Sequence, residues 1–357
     1  MIATAVALGA CINSAYHLIE ERSLWLSLIK AEKPSGYNVR LYYATDRRKT
    51  NKQGPAVMYG EESADNLSYG ICSVHIPADH VKGSMEEPNW YTFFPDHSKY
   101  LEVNEVKEVT GEPLFFSSLK ADIQSSPKKE ILVFIHGYNV PFVDAARRAA
   151  QLDYDLEFKG IPVLYSWPSQ GKLIGYMADE ASAEVTAFHL KDFLKRLASQ
   201  SHADRIHIIA HSMGNRALLR SLATLALEEK QRNASNPRFR QIILAAPDID
   251  QRLFENLAKQ FSSTAEHVTI YSNSNDKALW LSNFLHTSKQ EGQVVAALKA
   301  FDVIDASSIK GDFLDHSNFA INRILLADIA AVIQGRFPAD SRFGIKKGES
   351  GTFSISP

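Results

Sequence analysis

From Ile131 onward, short apolar runs rich in β-branched residues alternate with longer stretches whose apolar positions recur at helical spacing. Ile131–Ile135 is apolar throughout, which predicts a strand buried on both faces. An amphipathic stretch from Pro141 to Leu156 follows it. Ile161–Tyr165 predicts the next strand and Tyr176–Ala198 the next helix, with Val185, Phe188, Leu190, Phe193 and Leu197 as its apolar positions. Arg205–Ile209 predicts a strand and Asn215–Glu229 a helix. Phe239–Leu244, Val268–Tyr271 and Phe301–Ile304 read as three further strands, with helical patterns near Arg252–Phe261, Lys277–Leu285 and Asn318–Gln334. Alternation of this kind predicts an α/β fold, a mostly parallel central sheet with helices on both faces.

The first 130 residues are less regular. Ser14–Lys30 carries Leu18, Leu24, Leu26 and Ile29 in a helix-compatible pattern. Val39–Thr45 and Ser68–Ile76 predict strands and are expected to form an antiparallel pair that opens the sheet. The polar stretches Asp46–Asn66 and Met85–His97 are expected to be loops. Three parts result: an N-terminal apolar segment and helix over residues 1–38, one domain over 39–336 and a tail over 337–357. Within the domain, 39–130 holds the opening strands and 131–336 the core. The tail, rich in Gly and Ser, is expected to fray at its end.

Composition narrows the function classes. With 45% hydrophobic and 22% charged residues, the chain has the make-up of an ordinary globular protein. Its 39 basic and 41 acidic residues leave a net charge of -2, so no nucleic-acid partner and no polybasic contact with a membrane are expected. Cys11 and Cys72 lack metal-ligand spacing, which argues against a disulfide framework or a cysteine-based zinc site. Met1–Ile12 is apolar and uncharged, and Leu8-Gly9-Ala10-Cys11 looks like a bacterial lipoprotein cleavage box. Against that, no Lys or Arg precedes the apolar run. Membrane attachment in the cell envelope is therefore expected only if Cys11 is lipidated. An ordinary N-terminal helix on a cytoplasmic protein is the competing expectation.

The candidate chemistry centres on Ala210-His211-Ser212-Met213-Gly214, which lies between a predicted strand and a predicted helix. Small residues two before and two after a serine permit a sharp strand-to-helix turn that lifts the hydroxyl clear of the sheet. An unassisted serine is a poor nucleophile; it needs a base, an orienting carboxylate and oxyanion donors. His316 follows the last core strand and is the candidate base. Asp276, after strand Val268–Tyr271, is the candidate acid. Asp248, after the preceding strand, is the alternative acid, with a turn or N-cap role as its plain alternative. Asp315 is expected to be a turn residue. His136-Gly137-Tyr138 ends the first buried strand, where a main-chain oxyanion donor is expected. The donors assigned by position are the N–H groups of Tyr138 and Met213. His136, Gly137, Trp167 and His211 are candidates to line the site, Trp167 either as a wall of an acyl or alcohol pocket or, equally, as a core aromatic at a strand end. His207 and His211 lie across a strand and its turn rather than on a helical face, so no metal site is expected.

With these residues assembled, the chain resembles an α/β-hydrolase of the esterase/lipase superfamily, and more narrowly the mainly bacterial branch catalogued as domain of unknown function 900. The likeness runs from about Val39 to Gly335 and is carried by five blocks: Tyr43-Ala44-Thr45-Asp46-Arg47, Phe134-Ile135-His136-Gly137-Tyr138-Asn139, Ser166-Trp167-Pro168-Ser169, Ala210–Asn215 and Asp315-His316-Ser317. It implies Ser212, Asp276 and His316 as a triad, Tyr138 and Met213 as oxyanion donors, and no metal or organic cofactor. Ala210 departs from the superfamily's first elbow glycine. The expected partner is a small-molecule acyl ester. The same residues would suit a thioesterase, a peptidase or an acyltransferase, and a binding or scaffolding protein on this fold without turnover is the remaining alternative.

Overall fold

The computed structural model describes residues 36–355, apart from 53, 88–95, 170–175, 232–237, 275–276, 279, 282–283, 285–300, 310–322, 336–337 and 349–351. Eleven strands form one sheet: β1 (Tyr37–Lys49), β2 (Tyr59–Ile76), β3 (Glu102–Glu108), β4 (Glu130–Ile135), β5 (Ile161–Ser166), β6 (Arg205–His211), β7 (Phe239–Ala245), β8 (Ala265–Ser272), β9 (Phe301–Asp305), β10 (Ile345–Lys347) and β11 (Phe353–Ile355). Their spatial order is β10-β11-β9-β8-β7-β6-β4-β5-β1-β2-β3. Pairings from β1 across to β11 are parallel, and β1–β2, β2–β3 and β10–β11 are antiparallel. All six residues of β4 are buried: Ile131–Ile135 as their unbroken apolar character predicts, and Glu130 with its carboxylate bonded to Arg205 at 3.0 Å.

Among the described residues, six helices cover the sheet: α1 (Glu112–Ser125), α2 (Phe142–Asp155), α3 (Tyr176–Gln200), α4 (Gly214–Gln231), α5 (Gln251–Phe261) and α6 (Arg323–Gly335). One core packs α1, α3, α4 and α5 on one face, through Phe115, Phe193, Leu218 and Phe254. The other packs α2 and α6 on the opposite face, through Ala146, Ala149, Leu325 and Ile329. The chain passes from β4 to β5 on one side, then returns across β4 to β6 on the other. The helices after β4 and β6 therefore leave toward opposite faces, and a crevice opens at the carboxyl ends of these two strands. That crevice holds the elbow.

Several expectations are corrected. Asp46–Asn66 is mostly strand: β1 continues to Lys49 and β2 begins at Tyr59, so only the tip turns. The tail adds β10 and β11, with β11 paired in parallel to β9. On α3 the buried positions include Ala183, Ala187, Leu190, Phe193 and Leu197, while Val185 and Phe188 are exposed. Strand β3 and helix α1 were not foreseen. Ser14–Lys30, Cys11 and the start of the Asn318–Gln334 helix lie outside the described residues, as do parts of Met85–His97 and Lys277–Leu285.

Far from the crevice, the loop after β2 is fastened to the end of α2 by a buried histidine. His80 Nδ1 lies 2.7 Å from Glu86 Oε2 and Nε2 lies 2.9 Å from Asp155 Oδ1. Burial opposes the charge on His80, but hydrogen bonds to Asp155 and Glu86 outweigh it and raise the pKa to about 9. A folded pKa above the unfolded value of about 6.5 gives stability that is complete below pH ~6.5 and is lost as pH rises through about 9. His80→Gln should therefore lower the melting temperature clearly at pH 6.5 and much less at pH 9.5. Thermal melts at both pH values check this, and an equal deficit at both would contradict it.

Candidate active site

Strand β6 ends at His211 and α4 starts at Gly214, so Ser212 and Met213 make the whole turn between them. Ser212 has φ +48°, a left-handed conformation that costs a non-glycine residue roughly 1–3 kcal/mol. The surrounding backbone holds it there. Ser212 N donates to Ala245 O at 3.0 Å, and Ser212 O accepts from Asn215 N at 3.1 Å and Asp248 N at 3.3 Å. Asn215 Nδ2 adds a bond to the same oxygen at 2.9 Å and one to Ala245 O at 3.2 Å.

Two glycines let the loop after β4 press against this turn. A Cβ on Gly137 would stand 2.9 Å from Ser212 Cβ and 3.0 Å from His211 Nδ1. A Cβ on Gly214 would stand 2.3 Å from His136 O. The fold thus brings His136, Gly137, Tyr138, His211, Ser212 and Met213 to one place, at the ends of β4 and β6. Ala210, in the elbow's first small position, is fully buried.

His136 is buried, and the hydrogen bonds around its ring define its state. Nε2 faces Trp167 N at 3.1 Å, Ser166 Oγ at 3.2 Å and Arg47 Nη2 at 3.4 Å, while Nδ1 lies 2.9 Å from Gly137 O. Burial, then the charge of Arg47, hold the imidazole pKa well below its ordinary value. Trp167 is wholly buried, as the core-aromatic alternative expects. Its ring stacks on His136 with centroids 5.2 Å apart, and its Nε1 donates to His136 O at 2.7 Å.

Asp248 adjoins Ser212 through its backbone, but its carboxylate is engaged elsewhere. Tyr176 Oη donates to it at 2.7 Å, and Arg216 Nη2 lies 3.7 Å away while Arg216 Nε bonds Asp248 O at 2.6 Å. Burial and the bond to Asp248 push the Tyr176 phenol up to about 12. The N-cap of α5 is Asp250, which accepts from Leu253 N at 3.1 Å; Asp248 is not the cap. Asp276, Asp315 and His316 lie outside the described residues. The strands that precede Asp276 and His316, β8 and β9, end at Ser272 and Asp305 on the same carboxyl edge as Ser212. His207 sits roughly 13 Å back along β6 from His211, buried near Glu130.

Sequence reasoning gave no role to Arg47, Tyr176, Asp179 or Arg216. Arg47 is 1% exposed and donates to Ser166 Oγ, Gly60 O, Ser169 O and Val140 O. Burial lowers its pKa to about 10, so it stays charged at neutral pH. Asp179 accepts from Ser169 Oγ at 2.5 Å and from Asn139 N at 3.4 Å.

The family described as alpha/beta hydrolase of unknown function (DUF900) matches residues 115–336, more than half of the chain and both strands that form the crevice. The chain belongs to this family. The curated protein alr1448 of Nostoc sp. (strain PCC 7120 / SAG 25.82 / UTEX 2576), itself described as uncharacterized, is 25% identical over 166 residues. That similarity covers 35% of this chain and 43% of the Nostoc protein, so the chain spans less than half of that relative. The DUF900 assignment agrees with the mixed, mostly parallel sheet and its two helical layers.

Proposed function

We propose that this DUF900 protein is a serine hydrolase that cleaves a small acyl ester by transfer of the acyl group to water. The observation that carries the proposal is Ser212, held at φ +48° between strand and helix and pressed against Gly137. In this mechanism the Ser212 hydroxyl attacks the ester carbonyl while His316 takes its proton. The tetrahedral intermediate collapses, His316 returns the proton to the leaving alkoxide, and the acyl group remains on Ser212 as an ester. Water, deprotonated by His316, then attacks this ester; as the bond from the acyl carbon to Ser212 Oγ breaks, His316 returns the proton to Oγ, freeing the acid and restoring the serine. Asp276 fixes the imidazole tautomer.

The N–H groups of Tyr138 and Met213 are assigned to the oxyanion. Met213 N belongs to the N-terminal end of α4, where amides and the helix dipole favour negative charge. The engagement of Asp248 by Tyr176 and Arg216 supports Asp276 as the orienting acid. The experiment is turnover of p-nitrophenyl acetate and butyrate by the full chain. Hydrolysis well above that of Ser212→Ala is expected. If these esters, the matching thioesters and anilides are all left intact, the reading as a binding or scaffolding protein takes its place.

A further inference from the structure

The buried face of the His136–Val140 loop is more elaborately held than packing alone requires. Among the described residues, Arg47 makes its hydrogen bonds to uncharged groups, although its guanidinium is buried in the protein. A buried cation without a directly bonded carboxylate is costly for stability. The rigid guanidinium fork supplies geometry in return. One arm donates to Val140 O at 2.6 Å, and Val140 N is held from the other side by Ser169 Oγ at 3.2 Å.

The same fork reaches the ring of His136. Arg47 Nη2 and Trp167 N can only donate, so the Nε2 they face must be an acceptor. The imidazole proton then resides on Nδ1, which donates to Gly137 O at 2.9 Å. In a trans peptide the C=O and the next N–H point in opposite directions. Fixing Gly137 O on the imidazole therefore sends Tyr138 N–H to the side of the peptide away from His136.

On the serine-hydrolase reading above, we infer that Arg47 and His136 are positioning residues, a relay that sets the orientation of the Gly137–Tyr138 peptide and so of its oxyanion donor. Trp167 N at 3.1 Å and Arg47 Nη2 at 3.4 Å together hold the tautomer, and Arg47 also fixes Ser166 Oγ and Val140 O around the ring. His136 holds the carbonyl, and neither Arg47 nor His136 touches the substrate. Because an oxyanion contact forms in the transition state, loss of the relay acts on kcat rather than KM.

The test uses Arg47→Met, Arg47→Lys and His136→Phe in the full chain; phenylalanine keeps a ring to stack on Trp167 but cannot bond Gly137 O. Three readouts are taken: kcat and KM for p-nitrophenyl acetate, amide exchange across residues 136–140, and the 15N signature of His136. The expected results are a kcat lower by about tenfold to a hundredfold in Arg47→Met and His136→Phe, with KM changed by less than about threefold. Arg47→Lys, which keeps the charge and one donor, should fall in between. Exchange at Tyr138 and Asn139 should quicken while the strands stay protected, and wild-type His136 should report a neutral Nδ1–H ring at neutral pH. Folded variants with wild-type kcat would overturn the inference. If the wild type itself turns over no ester, the function reading fails separately. Unchanged exchange in the variants, or an Nε2–H ring, would then overturn the relay on structural grounds alone.

Discussion

Replacing Ser212 by alanine is expected to lower ester turnover by roughly 10⁴- to 10⁶-fold, the range found when a hydrolytic nucleophile is deleted. The size follows from the mechanism: without an oxygen at this position no acyl-enzyme can form, and what remains is binding plus oxyanion stabilisation of direct attack by water. The melting temperature should hardly move. Alanine carries the same Cβ into the same φ of +48°, and the backbone bonds to Ala245, Asn215 and Asp248 are untouched. His316→Ala should lose about as much, and the double variant little more, because members of a triad act as one unit. Steady-state kinetics on the three proteins, with thermal melts beside them, would decide this. A loss below about tenfold in Ser212→Ala would place the chemistry elsewhere.

The second large effect concerns stability. Gly214→Ala would drive a Cβ to 2.3 Å from His136 O, a backbone atom on a buried strand end that cannot swing aside as a side chain could. Either the elbow or the loop after β4 must shift. We expect a loss of roughly 3 kcal/mol, at the upper end for overpacking, and a melting point lower by about 5–10 °C. His136 O also accepts from Trp167 Nε1, so the displacement reaches the relay and activity falls with stability. Gly60→Ala is the control. Its Cβ would meet Thr50 Cγ2 at 3.4 Å, ordinary contact, and should be nearly neutral. Equal melting points for the two variants would mean that the loop and the elbow are not in the contact described.

The core of the sheet was legible because its central strands are buried on both faces, so short apolar runs mark them. β4 to β9 follow from those runs, and α2 to α5 from apolar positions at helical spacing. The opening hairpin was not legible beyond its inner half. β2 runs from Tyr59, but after that buried tyrosine the residues to Asn66 are exposed or half-buried and carry no apolar alternation. β3, Glu-Val-Asn-Glu-Val-Lys-Glu, is an edge strand with the same polarity. Helix α1 did carry a signal, since Phe115, Leu119 and Ile123 recur every fourth residue after Pro113, and these residues are buried. Val185 and Phe188 misled because apolar character was taken for burial, whereas small residues such as Ala183 and Ala187 let α3 approach the sheet.

At the site, the strand-to-helix turn was readable from local context, and residues defined by distant partners were not. The elbow announces itself within five residues. Arg47 bonds to groups between 13 and 122 residues away in the chain, so nothing near it in sequence gives its role. Asp179 belongs to the first turn of a helix and meets Ser169 and Asn139 because two loops fold back on each other. For Trp167 the sequence left a pocket wall and a core aromatic both open, and its full burial matches the core aromatic; side-chain direction is what strand position alone does not fix.

The measurement closest to the central claim is labelling of the wild-type protein with a fluorophosphonate probe, followed by mass mapping of the adduct. An activated serine attacks phosphorus and expels fluoride, with no need to know the natural substrate. One phosphonyl group per chain is expected on the Ser212 hydroxyl, absent from Ser212→Ala and His316→Ala. A folded wild type that remains unlabelled, or that carries the label on another residue, would contradict it.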